Sequence, residues 1–426
     1  RSGKAWPRWQ NGACFVSRRR GDKRLRGVAL RLALAQGASG LIGGAYTPFF
    51  GAWLAWRGLS SIEIGALLSA GMLLRVVVAP VTGMIADARG DRRAMMLFLY
   101  TVVLVGYGAL NFVTAPLLIF VAAITANVAT GAVSPLLESA SVRLSERHNF
   151  DYGHVRLWAS SSFVAGNFLS GIAKRVFGFG MLAPWLTISI VLNLIAVARL
   201  PAPRPNRAKS DFRMRARATF AETRELISSP VFLVFLTAAS LDQGSHAFYY
   251  AYGGLHWTQI GYSGPLIGAI WPLGVFAEIL LMTFSLRVFR VVGATRLLLL
   301  GGLGCVIRWS ILAFDPPLAF VIFAQLLHGM TFAMAHLGAM YFILKAVPPR
   351  LSATAQSLYT VFSSGIVLGL ATLACGPLYE HFGGRTYLLM AVMGLGTMIF
   401  AWKLGQTWSG ARITNRDIPE DDPDAI

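Results

Sequence analysis

The polar positions of this chain fall in short clusters between long apolar runs, which recur from about residue 29 to residue 404. A hydrocarbon core about 30 Å thick takes roughly 20 apolar residues per helix. Runs of that order lie at 29–56, 61–86, 94–112, 116–141, 155–174 and 180–200, and again at 230–256, 265–286, 295–314, 317–346, 352–379 and 384–404. They predict an all-α membrane protein with twelve transmembrane helices. Most connections are short and carry turn formers or charges, as in Asp315-Pro316-Pro317 and Val347-Pro348-Pro349-Arg350. The longest internal polar stretch, 201–229, divides the helices six and six. The expected organisation is a basic cytoplasmic N-terminal tail (1–28), a six-helix bundle (29–200) and a cytoplasmic linker with room for a short surface helix (201–229). A second six-helix bundle (230–404) and an acidic, disordered tail (405–426) complete it. Such a plan fits two homologous helical halves.

Composition sharpens this picture. Hydrophobic residues make up 55% of the 426 and charged residues only 13%, against about 25% charged in a soluble domain. The formal net charge of +19 would by itself suggest nucleic acid, but its distribution gives another reading. With the N-terminus inside, 32 of the 38 Lys and Arg fall at cytoplasmic ends, counting Arg31 at the start of the first helix. Four (Arg57, Lys174, Arg175, Arg385) fall outside, and Arg75 and Arg308 lie within helices. This is the positive-inside bias; it places both termini in the cytoplasm and removes the need for a nucleic-acid partner. The basic stretch 18–24 precedes a run too long for a cleaved signal segment, so that run reads as the first membrane helix. Cys14, Cys305 and Cys375 form no metal-ligand or disulfide pattern, and the latter two read as small packing residues. No His-Glu-x-x-His motif, Ser/His dyad or loop large enough for a catalytic domain is present. An enzyme, a metal and a cofactor are therefore not expected.

Ionisable groups inside the helices carry the chemistry: Arg75, Glu138, Asp242, Glu278 and Arg308, with His246, His328 and His336. Each central charge costs about 2.5–3.5 kcal/mol in a bilayer, so five facing lipid would offset a stability of about 5–15 kcal/mol. They must line a wet cavity or pair with one another. Helical spacing puts Asp242, His246, Tyr249 and Gly253 on one face. Trp271, Gly274 and Glu278 share another, and His328, Phe332 and His336 a third. Asn127, Gly131, Ser134 and Glu138 make a polar stripe, and Tyr46, Phe50 and Trp53 an aromatic one. Structural ion pairing of Asp242 and Glu278 with Arg308 or Arg75 is one reading, and solute or proton handling is the other. Glu138 near a helix end also reads as a snorkelling charge, and the aromatic stripe as packing. A low dielectric disfavours an ionised carboxyl, and an approaching guanidinium reverses this. A helix movement alternating those surroundings would load and release a proton. Asp242 and Glu278 are candidates for that step.

The loop after the second run, Gly83-Met84-Ile85-Ala86-Asp87-Ala88-Arg89-Gly90-Asp91-Arg92, resembles the major facilitator superfamily signature G-x-x-x-D-R/K-x-G-R-R/K. Gly83, Asp87, Gly90 and Arg92 match; Ala88 and Asp91 depart. The resemblance implies a cytoplasmic gate at these residues. Ordered strings from about Tyr46 to Leu395, among them YGHVRLWASSSFVAG (152–166), LDQGSHAFYYAYGGLHW (241–257) and LLHGMTFAMAHLGAMYF (326–342), resemble the phenylpropionate permease branch and its oligosaccharide–proton symporter relatives. The resemblance implies the major facilitator fold in a bacterial inner membrane and a monomer. It also implies proton-coupled symport of a small organic solute, such as an aromatic carboxylate. By position it implies proton coupling through Asp242, Glu278 and His328. Arg308 also falls on an ionisable position of that family. Solute contacts are expected from Arg75, Glu138, Arg308, Tyr46, Trp53, His246, Tyr249, Trp271 and His336. The sugar symporters carry Glu and Lys where this chain has Thr331 and Gln325, so a sugar-type proton carrier is absent. Drug or metabolite efflux by the same fold, and a non-transporting sensor or scaffold, are the competing readings.

Overall fold

A computed structural model describes residues 22–201, 212–285 and 291–413. Among them the regular elements are all helical. The first set is α1 (Asp22–Trp56), α2 (Ser61–Arg89), α3 (Arg92–Ala109), α4 (Pro116–His148), α5 (Tyr152–Phe177) and α6 (Leu182–Ala198). After α7 (Phe212–Ile227) come α8 (Pro230–Gly244), α9 (Ala247–Gln259), α10 (Gly264–Ile270), α11 (Leu273–Thr283) and α12 (Ala294–Leu312). The chain ends with α13 (Leu318–Leu326), α14 (Ala335–Ala346), α15 (Ser352–Thr360), α16 (Leu368–Phe382) and α17 (Tyr387–Thr407). Eight helical runs among the described residues are long and apolar enough to cross a bilayer, or nine with the bent pair Thr219–Ile227 and Pro230–Gln259 taken as one. Two of the eight, Tyr152–Ala198 and Pro349–Thr407, hold 47 and 59 residues, more than one crossing requires. Each is interrupted by a 3-10 turn, Gly178–Met181 or Gly383–Thr386, whose first glycine has φ of +67° or +55°. A side chain would strain that backbone.

Local signals account for the helix starts. The Ser60 hydroxyl accepts from the Glu63 N–H at 3.2 Å, and the Glu63 carboxylate accepts from the Ser60 N–H at 2.8 Å, a reciprocal cap. Pro116 and Pro230 occupy first-turn positions where a missing N–H does no harm. Gly90 ends α2 with φ +67°.

Four expected single helices are interrupted. The run 230–256 is divided between α8 and α9 at Ser245–His246. The run 265–286 is divided between α10 and α11 at Trp271–Pro272, where Pro272 supplies no N–H to the helix ladder. The runs 317–346 and 352–379 contain π-helical turns at Gly329–Met334 and Val361–Val367, a feature frequent at functional sites. The linker contains α7, which Glu225 ties to Arg350 at 3.0 and 2.5 Å. At the end of the chain Trp408 meets Phe342 at 4.9 Å and the Ile413 N–H donates to the Ala346 carbonyl at 2.8 Å. Of the tail expected to be disordered from 405, residues 405–407 continue α17 and Trp408 and Ile413 are held against α14. Residues 1–21, 202–211, 286–290 and 414–426, parts of the expected tails, linker and eighth helix, lie outside the described residues.

Within the first set, α1 packs on α5 and α6, α2 on α4, and α3 on α4 and α6; in the second set α17 packs on α8 and α12. The two sets meet through α1 with α9, α2 with α16 and α5 with α10. These crossings bring backbone against backbone. A Cβ on Gly254 would lie 1.6 Å from the Pro48 carbonyl oxygen, and one on Gly51 2.1 Å from that of Ala251. Larger residues there would force α1 and α9 apart.

Candidate solute-binding site

Beneath those crossings lies a cavity of about 160 Å³. The first set lends it Thr47 and Phe163. The second set lends Tyr249, Tyr250, Trp271, Gly274, Val275, Glu278, His328 and Phe332. Tyr249 stacks on Trp271 at 4.3 Å, and His328 on Phe332 at 5.3 Å. The walls are therefore mostly aromatic. Glu278 has no hydrogen bond or ion pair within bonding range among the described residues.

Behind His328 lies Arg308, fully buried on α12. Its Nη1 donates to His328 Nδ1 at 2.9 Å and to Thr331 Oγ1 at 3.0 Å, and its Nη2 donates to Gln325 Oε1 at 3.0 Å. Its guanidinium also covers Trp309 at 4.3 Å and Tyr249 at 4.9 Å. No carboxylate among the described residues is within ion-pair distance of it. The Nε is buried with no partner. All three hydrogen-bond acceptors around this cation are neutral.

The arginine fixes the polarity of its surroundings, because a guanidinium only donates. His328 must accept through Nδ1, so its ring is neutral with the proton on Nε2. Thr331 accepts from Arg308 and turns its own hydrogen to His246 Nε2, 3.2 Å away. His246 Nδ1–H then donates to the Asp242 backbone carbonyl at 3.2 Å.

The structure gathers Arg308, His246, His328, Tyr249, Trp271 and Glu278 into this cluster and leaves other sequence-predicted residues apart. Asp242 is buried, but its carboxyl accepts from Cys305 Sγ at 3.6 Å and faces Gly301. It does not line the cavity. The break at Ser245–His246 explains why Asp242 and Tyr249 do not share one surface. His336 continues the ladder, 6.1 Å from Phe332. Ion pairing of Asp242 and Glu278 with Arg308 or Arg75, one of the two readings of the sequence, is absent among the described residues. Arg75 donates instead to the Ser364 carbonyl at 2.9 Å, with its stem over Gly131. Tyr46 accepts from Asn127 Nδ2 at 2.5 Å and stacks on Phe50 at 4.4 Å. Trp53 is buried beneath Arg57, whose guanidinium lies 4.9 Å from its ring.

Glu138 belongs to a different cluster. Gln36 Nε2 donates to it at 3.0 Å, the Tyr152 hydroxyl donates to it, and Arg156 Nε lies 3.3 Å away. At the loop after α2, Arg92 binds Asp87 at 2.8 and 2.6 Å and Ser139 at 2.5 Å. Asp91, a departure from the signature, caps α3 by accepting from the Ala94 N–H at 2.9 Å. Gly83 faces open space. Sequence reasoning missed Arg156, which it counted among the loop cations. It noted Gln325 and Thr331 only as departures, and their neutrality gave no signal of a role.

The MFS_1 like family matches residues 40–390. The chain is 29% identical to a probable 3-phenylpropionic acid transporter of Escherichia coli (strain K12), over 85% of this chain and 94% of that one. It is 26% identical to a maltose permease of Geobacillus stearothermophilus, over 82% and 87%. Among solved structures, the nucleoside transporter NupG superposes with a TM-score of 0.70 at 16% identity, covering 89% of this chain and 98% of that one. A D-xylose–proton symporter gives 0.66 at 15%, covering 89% and 97%.

Proposed function

We propose that this chain, which belongs to the MFS_1 like family, carries a small organic anion across the bilayer together with a proton. An aromatic carboxylate such as a phenylpropionate is the solute that suits the site. The observation that carries this reading is Arg308: a buried cation with neutral partners, next to a cavity with aromatic walls. A buried charge without a counterion is costly. A solute carboxylate would supply the counterion, and the Nε2–H of His328 would be its hydrogen-bond donor. Tyr249, Trp271 and Phe332 would hold the ring. At about 160 Å³ the cavity lies below the roughly 300–1,000 Å³ of sites for drug-sized ligands, which favours a small solute. The similarity to a phenylpropionic acid transporter supports the same choice.

Glu278 lines the same cavity and is the proposed proton carrier. Two ionised carboxylates do not share one small apolar site, so an entering anion brings a proton onto Glu278. Asp242, facing Cys305, is not assigned this step. The wider frame follows the same proposal: twelve crossings in two six-helix halves, rocking about the midplane. Both termini lie on the cytoplasmic side of a bacterial inner membrane, as the Lys/Arg bias suggests. Asp87 and Arg92 guard the cytoplasmic gate.

The test is uptake of labelled 3-phenylpropionate into proteoliposomes, with and without an inward proton gradient, beside Glu278→Gln and Asp242→Asn. Wild type should accumulate solute with the gradient. Glu278→Gln should exchange solute but no longer respond to the gradient, and Asp242→Asn should still respond. Gradient-driven accumulation by Glu278→Gln would refute the proton assignment. Absence of uptake of this acid and of its ring-substituted analogues would refute the solute class.

A further inference from the structure

Gln325, an uncharged residue, ties three parts of the site together. Its side chain is fully buried and uses three hydrogen bonds. Oε1 accepts from Arg308 Nη2 at 3.0 Å, and Nε2 donates to the Tyr249 hydroxyl at 2.7 Å and to the Ile270 carbonyl at 3.2 Å. The orientation of the amide is determined by these partners. Arg308 can only donate and a carbonyl can only accept, so the oxygen must face the guanidinium. One side chain therefore links the cation, the Tyr249–Trp271 stack and the chain end of α10, just before the Pro272 break.

We infer that Gln325 sets the charge selectivity of this site: by offering Arg308 a neutral oxygen it leaves the cation to be balanced by the solute. This rests on the proposal that a carboxylate occupies the cavity. A carboxylate on a side chain of the same length would have nearly the same shape. It would sit 3.0 Å from Nη2 and satisfy the guanidinium within the protein. An incoming anion would then meet a neutral pair instead of a free cation. The Tyr249 hydroxyl could donate to that carboxylate, so the aromatic stack would keep its place; the Ile270 carbonyl would lose its donor and face an acceptor oxygen instead. Neutral amide or ester analogues of the same solute would lose nothing electrostatically.

The experiment compares equilibrium binding of 3-phenylpropionate and the neutral 3-phenylpropionamide to the full chain, as wild type, Gln325→Glu and Gln325→Met, each checked for thermal unfolding. Wild type should prefer the acid. Gln325→Glu should lower the acid-to-amide affinity ratio about 100-fold, the order expected when an electrostatic partner becomes a like charge. Gln325→Met removes all three hydrogen bonds without adding charge; it should weaken both ligands and keep the preference for the acid. An unchanged ratio in Gln325→Glu would overturn the inference while leaving wild-type acid binding, and so the carboxylate reading, in place. So would a ratio in Gln325→Met that falls as far as in the glutamate variant. If the glutamate variant does not fold, the methionine variant decides: loss of acid preference overturns the inference and its retention supports it. A wild type that shows no preference for the acid removes the carboxylate reading, and the inference falls with it.

Discussion

Arg156 on α5 and Arg308 on α12 belong to different sets of helices, and their partners differ in kind. Arg156 lies 3.3 Å from Glu138 with half of its side chain exposed. Arg308 is fully buried and touches a histidine, a threonine and a glutamine. The first is an ordinary half-wet ion pair, the sort worth about 0–1 kcal/mol. The second holds an unbalanced charge in a medium where such a charge costs several kcal/mol. That difference directs the search for a ligand. A site already neutral gains little from an anion, whereas an unbalanced cation gains a great deal.

The largest expected effect comes from removing the unbalanced charge. Arg308→Gln should lower uptake of a carboxylate by at least about 100-fold, since losing one member of a buried charge pair costs about 3–5 kcal/mol. Its thermal stability, measured on purified protein, should be unchanged or raised, because the empty protein no longer buries a lone cation. Arg308→Lys keeps the charge but not the three-way geometry, and should fall between. If Arg308→Gln transports normally, the guanidinium is a packing element and the solute charge is bound elsewhere.

How much of this was legible beforehand depends on what each residue type reveals. The apolar runs gave the helical fold because membrane spans must satisfy their own backbone. Arg308, Glu278 and His328 stood out because charge inside an apolar run is expensive. Facing was harder to read. A continuous helix through 242–253 would put Asp242 and Tyr249 on one surface, but the turn at Ser245–His246 sends the carboxyl toward Cys305. Pro272 breaks the run read as one helix over 265–286, because hydropathy registers a proline as one more apolar residue and not as a missing N–H. Arg156 stands one turn inside α5, close enough to a loop to be counted with the loop charges. Gln325 and Thr331 carry no charge, so nothing in composition or spacing marks them. Their role exists only through the arginine they surround.

A smaller effect would sharpen the same contrast from the balanced side. Glu138→Gln and Arg156→Gln, singly and together, should each change uptake by less than about 10-fold, with a coupling of about 1 kcal/mol or less. The pair is half exposed, so a surviving Arg156 reaches water, and Gln36 and Tyr152 still hold Glu138 when Arg156 is replaced. Transport kinetics in proteoliposomes would measure the cycle. Coupling of several kcal/mol would erase the distinction drawn here. It would make the Glu138–Arg156 pair a solute-binding or conformational element on the same footing as Arg308.

The smallest effect tests whether the neutral shell acts through position rather than charge. Tyr249→Phe removes the hydroxyl that accepts from Gln325 Nε2 at 2.7 Å, while the ring stacked on Trp271 at 4.3 Å remains. A net hydrogen bond is worth about 0.5–1.5 kcal/mol, so KM for a carboxylate should rise about 2- to 12-fold with kcat nearly unchanged. The preference for the acid over its amide should stay, because Gln325 is still held by the Ile270 carbonyl and still turns its oxygen to Arg308. A large fall in kcat would mean that the hydroxyl takes part in the conformational step. Loss of acid preference would mean that Gln325 needs both of its anchors to keep its amide oriented, and that one phenolic oxygen stabilises the electrostatics of the whole site.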